Sequence, residues 1–430
     1  MDSKQLSSGI HLMAKPSGAS CNLQCQYCFY LEKQLLYANA TPTPPRMGDQ
    51  VLEAYIKQSI LCNCNNPAGI LFTWQGGEPT LMGLDFFRRA LSLEKKYAEE
   101  RPICNSFQTN GTLLDDEWCA WFAENRFLVG LSLDGGEAIH NRYRVGTDGR
   151  PSFEQTLRAL KLLQKHGVEY NVLASVAHHT AAFALEVYRF FKQQGVEFIQ
   201  FSPIVERLPD PWAQNLGLKF AAPPRLDRSK KTSTPTTTES VESKAYGDFL
   251  ISIFEEWVRH DVGKIFVMNF EWTLFNCIGG DGAICYLSKE CGNALIVEHN
   301  GDLYSCDHFV YPQYKLGNIL NDDVQKLVNS PKHQEWGRRK ESMLPKRCKE
   351  CEVLFICRGG CPKDRLSDGL NYLCSGYKAF YNHTAKYMKA FQQLMKYNLP
   401  LENIMRAIGQ PLVIPASPAT QNQEVVLWIK

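Results

Sequence analysis

The sequence predicts an α/β protein joined to a second unit held together by cysteines, and three observations carry that prediction. Apolar runs rich in β-branched and aromatic residues alternate with amphipathic helical patterns over the first half of the chain. That alternation stops after Asp281. Eight of the sixteen cysteines then fall between Cys285 and Cys374. A chain of 430 residues has room for two or three domains, and 44 % hydrophobic with 21 % charged residues can bury a full core. The net charge of +2 excludes the basic excess of a dedicated nucleic-acid binder. No apolar run reaches the ~18 residues of a membrane span. Met1–Ser8 is too polar for a signal peptide. The cysteines are therefore expected to stay reduced, in the cytoplasm, and to ligate metal rather than form disulfides.

The strand candidates are Ile10–Ala14, Ile70–Trp74, Ile103–Gln108, Phe127–Leu133, Glu169–Val176 and Val196–Phe201. Helical patterns lie between them at Gln50–Leu61, Asp85–Tyr97, Asp115–Glu124, Phe153–His166 and Ala182–Gln194. Strand–helix–strand alternation argues for a parallel sheet. The spacing fits an open barrel or a doubly wound sheet and does not choose between them. Either architecture puts chemistry at the C-terminal ends of the strands. Leu208–Lys244 is rich in Pro, Ser, Thr and Lys, including Lys230-Lys231-Thr232-Ser233, and reads as an exposed insertion or a mobile loop. A helix follows at Tyr246–His260. Ala294–Glu298 and Asp302–Ser305 flank His299-Asn300-Gly301 as a hairpin. Gly376–Tyr397 reads as a helix, and Gly409–Lys430 carries no assignable pattern.

Cys21, Cys25 and Cys28 form a Cys-x3-Cys-x2-Cys array soon after the first strand. Three thiolates can hold three irons of a [4Fe–4S] cluster and leave the fourth iron open to an exchangeable ligand. A structural zinc site would want a fourth protein ligand, and no Cys or His follows nearby. Gln75-Gly76-Gly77-Glu78-Pro79 ends the second strand, Gln108-Thr109-Asn110-Gly111 the third and Ser132-Leu133-Asp134-Gly135 the fourth. Taken singly, each polar strand end is ordinary turn chemistry. The later set is Cys285, Cys291, Cys306, Cys348, Cys351, Cys357, Cys361 and Cys374, enough for two fully ligated clusters or two zinc sites. One interleaved arrangement places Cys285, Cys291, Cys306 and Cys361 around one centre and Cys348, Cys351, Cys357 and Cys374 around the other. Spacing does not fix which four go together. Cys62, Cys64, Cys104, Cys119 and Cys277 match no array and read as free buried thiols.

The cysteine loop, with an aromatic before its third cysteine, and the Gly76-Gly77-Glu78-Pro79 turn resemble the radical S-adenosylmethionine superfamily. The later cysteines resemble its SPASM extension. With Lys15-Pro16-Ser17-Gly18, Cys28-Phe29-Tyr30, Ile139-His140-Asn141, Cys306-Asp307, Leu316-Gly317-Asn318-Ile319 and Gly359-Gly360-Cys361, the chain is most similar to the anaerobic sulfatase-maturating enzymes, from about His11 to Tyr397. It departs at Gly135-Gly136, where that family has Gly-Pro, and around Arg225–Lys244.

The resemblance implies a partial (β/α)6 barrel over 1–260 with a polar insertion near 208–244. It implies a small SPASM domain with a β-hairpin over 261–375, and a C-terminal helix and tail over 376–430. It implies three [4Fe–4S] clusters: one on Cys21, Cys25 and Cys28, two on the later eight cysteines. It implies S-adenosylmethionine bound by Tyr27, Gly77, Ser132, Arg144 and Val205, substrate facing Tyr30, and Asp307 as the base. A 5′-deoxyadenosyl radical would oxidise a Ser or Cys of an unfolded sulfatase to Cα-formylglycine, with a reduced flavodoxin or ferredoxin as electron donor and neither nucleic acid nor membrane as partner. Two other readings stand beside it: a SPASM enzyme that crosslinks a different peptide, and a non-enzymatic zinc module. The zinc module has no use for the open three-cysteine loop.

Overall fold

The computed structural model describes residues 9–37, 44–224 and 234–429. Strands β1 (His11–Lys15), β2 (Ile70–Trp74), β3 (Ile103–Thr109), β4 (Phe127–Ser132), β5 (Tyr170–Val176), β6 (Phe198–Pro203) and β7 (Phe266–Val267) lie side by side in chain order, each parallel to its neighbour. That order settles what spacing left open. A doubly wound sheet reverses its strand order at a switch point, whereas sequential order with right-handed crossovers winds one way, as in a barrel. The sheet does not close: β7 ends one edge.

The other edge is where the cysteine-rich part joins. β8 (Ala294–Glu298) pairs parallel to β1 over five residues, with Lys15 opposite Glu298. β9 (Asp302–Tyr304) and β10 (Lys315–Asn318) continue antiparallel, giving one sheet of ten strands. The expected hairpin is present, and it extends the barrel sheet instead of standing apart.

The helices follow the sequence pattern closely because each buries one stripe. Helix Ala184–Gln193 buries Ala184, Val187, Tyr188 and Phe191, the spacing of a single helical face. Beneath β2 and β3, Trp74, Phe87, Phe107 and Phe122 pack edge-on, with ring centroids 5.5, 4.9 and 5.0 Å apart in sequence. The boundaries shift where a cap takes an apolar residue. Val196 was expected in β6, but its amide bonds to the Phe191 carbonyl (3.0 Å) and closes the preceding helix, so the strand starts at Phe198. Val168 does the same at Leu163 (3.0 Å), and β5 starts at Tyr170.

The polar stretch after β6 is less exposed than its composition suggests. Arg207 bridges Thr236, Pro211–Asn215 forms a short helix, and Ala213, Leu218 and Phe220 are buried, the first two against Tyr311. Its Lys230–Ser233 run lies outside the described residues. The unassigned tail forms a two-stranded antiparallel sheet, β11 (Leu412–Ile414) with β12 (Val425–Leu427). Of the unmatched thiols Cys119 is buried, but Cys64 and Cys104 are exposed, which corrects their reading as core residues. Among the described residues no helix is long and apolar enough to cross a membrane.

Helix Ser243–His260 crosses helix Cys374–Lys396 backbone to backbone. A Cβ on Gly376 would lie 1.9 Å from the Ser243 carbonyl oxygen, and one on Gly247 would lie 2.7 Å from Gly376 Cα. The crossing sets the position of Cys374, two residues before Gly376. Gly376→Ala is therefore expected to cost about 1–3 kcal/mol by overpacking and to lower metal retention by the thiols around Cys374. Thermal unfolding and iron content of anaerobic protein would show both, and native values for both would contradict this account.

Candidate active site

The three-cysteine loop runs from the C-terminal end of β1 and is pinned by its neighbours. Gly77 N donates to Gly18 O (2.8 Å) and Glu78 N to Ser20 O (2.8 Å). A Cβ on Gly77 would lie 1.9 Å from Ser20 O, so only glycine lets the β2 turn lie flat against the strand leading into Cys21. Buried Glu78 accepts from Thr80 Oγ1 (2.7 Å), Thr109 Oγ1 (2.8 Å) and Asn110 N (2.8 Å), tying the ends of β2 and β3 together. Asn110 Nδ2 donates to Asn22 Oδ1 (2.9 Å), inside the cysteine loop.

Past β4, Asp134 organises a second group. Arg144 Nε and Nη2 donate to its two oxygens (2.9 and 3.0 Å), Tyr27 Oη donates at 2.6 Å and Ser175 N at 2.8 Å. Burial opposes ionisation of Asp134, yet the Arg144 charge and these bonds hold its pKa below the ordinary carboxylate value. Tyr27 and Arg144 are thus brought together by a residue that the sequence reading quoted only within a strand-end motif. Ser132 accepts from Gln108 Nε2 (3.0 Å), and the Val205 carbonyl accepts from Lys363 Nζ (2.6 Å). Gly77, Ser132, Arg144 and Val205 all lie at or beyond C-terminal strand ends, where the fold was expected to build its site.

Opposite this group, β1 and β8 bring Lys15, Tyr30 and Glu298 into one buried cluster, with the half-buried Asp307 beside it. Tyr30 donates its hydroxyl to Glu298, and the Lys15 ammonium sits 4.4 Å from the Tyr30 ring centroid. Burial pushes the Lys15 pKa down, while Asp307, Glu298, Cys28 and Cys306 raise it. Asp307 is half-buried, and desolvation works against its charge, but His308, Lys15 and, while Cys306 is a thiol, a hydrogen bond from its Sγ (3.4 Å) hold its pKa below the ordinary value. The Phe29 and His308 rings lie 4.6 Å apart and join the cysteine loop to the Asp307 segment. Lys33 is a further buried cation, 3.3 Å from the Tyr311 ring centroid, with its pKa lowered to about 7 by burial. In the sequence Lys15 is marked only by the Lys15-Pro16-Ser17-Gly18 motif, and Lys33, Glu298 and Lys363 carry no signal at all: their neighbours are distant in sequence.

The cysteines form three sets of electrostatic neighbours. Cys21 lies among Cys25 and Cys28. Cys306 neighbours Cys285 and Cys361, and Cys361 neighbours Cys291. Cys357 neighbours Cys348, Cys351 and Cys374. Among the described residues, no three His, Cys, Asp or Glu side chains converge as a single ion requires. Burial pushes Cys25 and Cys357 up to about 12, so without metal these thiols are neutral. Iron binding would supply the charge that makes them thiolates.

A one-way open barrel, a three-thiol loop beside a glycine-rich strand turn and two further thiol sets define a radical S-adenosylmethionine protein with a SPASM extension. Residues 16–182 match the Radical SAM superfamily, and residues 285–352 match SPASM, an iron–sulfur cluster-binding domain. The cofactors are [4Fe–4S] clusters and S-adenosylmethionine. The chain is 44 % identical over 407 residues to the serine-type anaerobic sulfatase-maturating enzyme of Bacteroides thetaiotaomicron, covering 93 % of this chain and 95 % of that one. It is 33 % identical over 382 residues to the cysteine-type enzyme of Clostridium perfringens (strain ATCC 13124), covering 87 % and 96 %. The structure of native anSMEcpe with bound AdoMet and Cp18Cys peptide superposes with a TM-score of 0.76 at 31 % identity, covering 90 % of this chain and 99 % of that one. The chain belongs to the anaerobic sulfatase-maturating enzymes.

The Asp134–Arg144 pair gives a pH-dependent prediction. The folded pKa of Asp134 is depressed, so the pair's stabilisation is present above the unfolded carboxylate value of ~3.9. It is lost as pH falls through the lower folded value. Asp134→Asn leaves a buried guanidinium without its counter-charge and is expected to cost about 3–5 kcal/mol at neutral pH. Melting curves should show a lower midpoint for the variant at pH 7 and a shrinking difference in strong acid. Equal midpoints at pH 7 would refute the assignment.

Proposed function

We propose that this protein oxidises a serine or cysteine in an unfolded sulfatase segment to Cα-formylglycine, with Asp307 as the base. The observation that carries the proposal is the position of Asp307: half-buried, adjacent in sequence to Cys306 and facing Lys15 beside the three-cysteine loop. Cys21, Cys25 and Cys28 hold the catalytic cluster. Cys285, Cys291, Cys306 and Cys361 hold the inner auxiliary cluster, and Cys348, Cys351, Cys357 and Cys374 the outer one. Tyr27, Gly77, Ser132, Arg144 and Val205 surround S-adenosylmethionine. When bound, these groups supply a 5′-deoxyadenosyl radical that removes one hydrogen atom from the substrate Cβ.

The chain's own residues do the rest. Asp307 accepts the hydroxyl or thiol proton, and Lys15 stabilises its charged form before that transfer. Tyr30, held by Glu298, gives the substrate a fixed wall. The auxiliary thiol sets, of which Cys306 is the member next to the base, would hold the clusters that take up the remaining electron. One hydrogen atom, one proton and one electron account for the oxidation of the serine hydroxymethyl group to an aldehyde. The higher identity to the serine-type relative favours serine as the target. A reduced flavodoxin or ferredoxin in the cytoplasm is the expected electron donor. Nothing in the site favours the crosslinking alternative.

The test uses anaerobically reconstituted protein, S-adenosylmethionine, a reductant and peptides carrying Ser or Cys in a Cys-x-Pro-x-Arg context. Mass spectrometry is expected to show a loss of about 2 Da from the serine peptide or about 18 Da from the cysteine peptide, alongside 5′-deoxyadenosine, as cofactor-driven oxidation requires. Asp307→Asn should lower formylglycine formation by about 10²–10⁴ while deoxyadenosine still forms. Native formylglycine yield from that variant would remove Asp307 from the base role. Deoxyadenosine without any peptide change in the native protein would point to another substrate.

A further inference from the structure

Between the inner and outer thiol sets lies a buried cation that the proposed reaction does not use. Arg365 is 4 % exposed. It follows the short helix Pro362–Asp364, which begins directly after Cys361. Its backbone bridges Asn371, whose carbonyl accepts from Cys374 N (3.0 Å). Arg365 is thus anchored to the inner set through Cys361 and to the outer set through Cys374. Its Nη2 donates to the Lys340 carbonyl at 2.5 Å. Its Nε and Nη1 are buried and have no hydrogen-bond partner. Its leading charge neighbours are thiols from both sets: Cys291 and Cys361 on one side, Cys348 and Cys357 on the other.

A buried guanidinium with two unsatisfied donors and no carboxylate among its leading neighbours needs another source of negative charge. Thiolate-ligated [4Fe–4S] clusters are such a source: four thiolates outweigh the core's charge, and cluster sulfur accepts hydrogen bonds. Lys340 does not serve both sides. It is fully buried, but its Nζ donates to the carbonyls of Cys285 (2.8 Å), Tyr286 (3.0 Å) and Ser288, and its leading thiol neighbours belong to the inner set alone.

We propose that Arg365 is a positioning residue that bridges the two auxiliary clusters, offering Nε–H and Nη1–H to sulfur and raising the reduction potential of both. Net charge and hydrogen bonds to sulfur are the main protein levers on cluster potential. A cation shared by both sites moves the two potentials together, which keeps electron transfer from the inner to the outer cluster near level. The planar fork suits this task, since it presents donors in fixed divergent directions where an ammonium offers a single point of charge.

The proposal rests on the reading of the two thiol sets as cluster ligands, and the experiment separates the two. Full-length protein carrying Cys21→Ala, Cys25→Ala and Cys28→Ala is reconstituted anaerobically, so that only auxiliary clusters give a signal. Iron and sulfide content tests the ligand reading, and a redox titration followed by electron paramagnetic resonance tests Arg365. Arg365→Gln is expected to lower both midpoint potentials. Arg365→Lys is expected to keep both clusters and lower the midpoint of only one. Both midpoints at native values in fully loaded Arg365→Gln protein would overturn the bridge. If that variant does not load, unchanged midpoints in Arg365→Lys overturn it equally. A parent protein that binds no auxiliary iron would instead defeat the ligand reading, and the bridge with it.

Discussion

The structure depends on one pairing: β1 against β8. Five residues of parallel ladder fuse the cysteine-rich part to the barrel sheet at the strand that leads into the three-cysteine loop. Parallel pairing puts the C-terminal ends of both strands at the same level, so Lys15 meets Glu298 and the chain beyond β9 returns toward Cys28. A one-residue slip would turn every side chain of β8 to the opposite face. Glu298 would leave Tyr30, and the buried Val297 and Leu295 would exchange places with their neighbours. The register of one short strand thereby fixes where Asp307 stands relative to the catalytic loop.

Around that frame the protein balances buried charge in two different ways. On the barrel side each buried acid has protein donors. Asp134 receives Arg144, Tyr27 and Ser175, and Glu78 receives Thr80, Thr109 and Asn110. Those networks are complete within the chain and hold the strand ends rigid before any cofactor arrives, which is what a preorganised site requires. On the cysteine-rich side the buried cations Lys340 and Arg365 have thiols as their leading charge neighbours. That half reaches charge balance only with its clusters in place. Folding of the cysteine-rich part and metal loading are therefore linked, as in other small metal-held domains.

Much of this was legible in the sequence because it rests on local pattern. The strands of the barrel and the helices between them follow from hydrophobic periodicity, and Val196 misled only because a helix cap and a strand both accept a buried valine. The cysteine arrays were legible because ligand spacing is itself local. What the sequence did not disclose is long-range. Nothing in Ala294–Glu298 announces that it will add to β1, because an apolar five-residue run pairs with any compatible edge. The partition of the eight later cysteines also escaped spacing, since the two sets interleave along the chain. Lys33, Glu298 and Lys363 look like surface residues by composition, and only tertiary burial turns them into part of the site.

The same distinction explains why the polar stretch after β6, exposed over much of its described length, is docked at a few points. Its Pro, Ser and Thr content is that of a solvated loop, yet Leu218 and Phe220 are buried, with Leu218 against Tyr311, a residue that also faces the buried Lys33 ammonium. Tyr311 belongs to the segment that follows Asp307. The stretch therefore touches the segment that follows the base, through Ala213 and Leu218 in a polar background. Composition averages over such residues, whereas burial of a few large side chains is enough to dock a segment. The stretch thus reaches the segment that follows Asp307 without supplying any of the proposed cluster ligands.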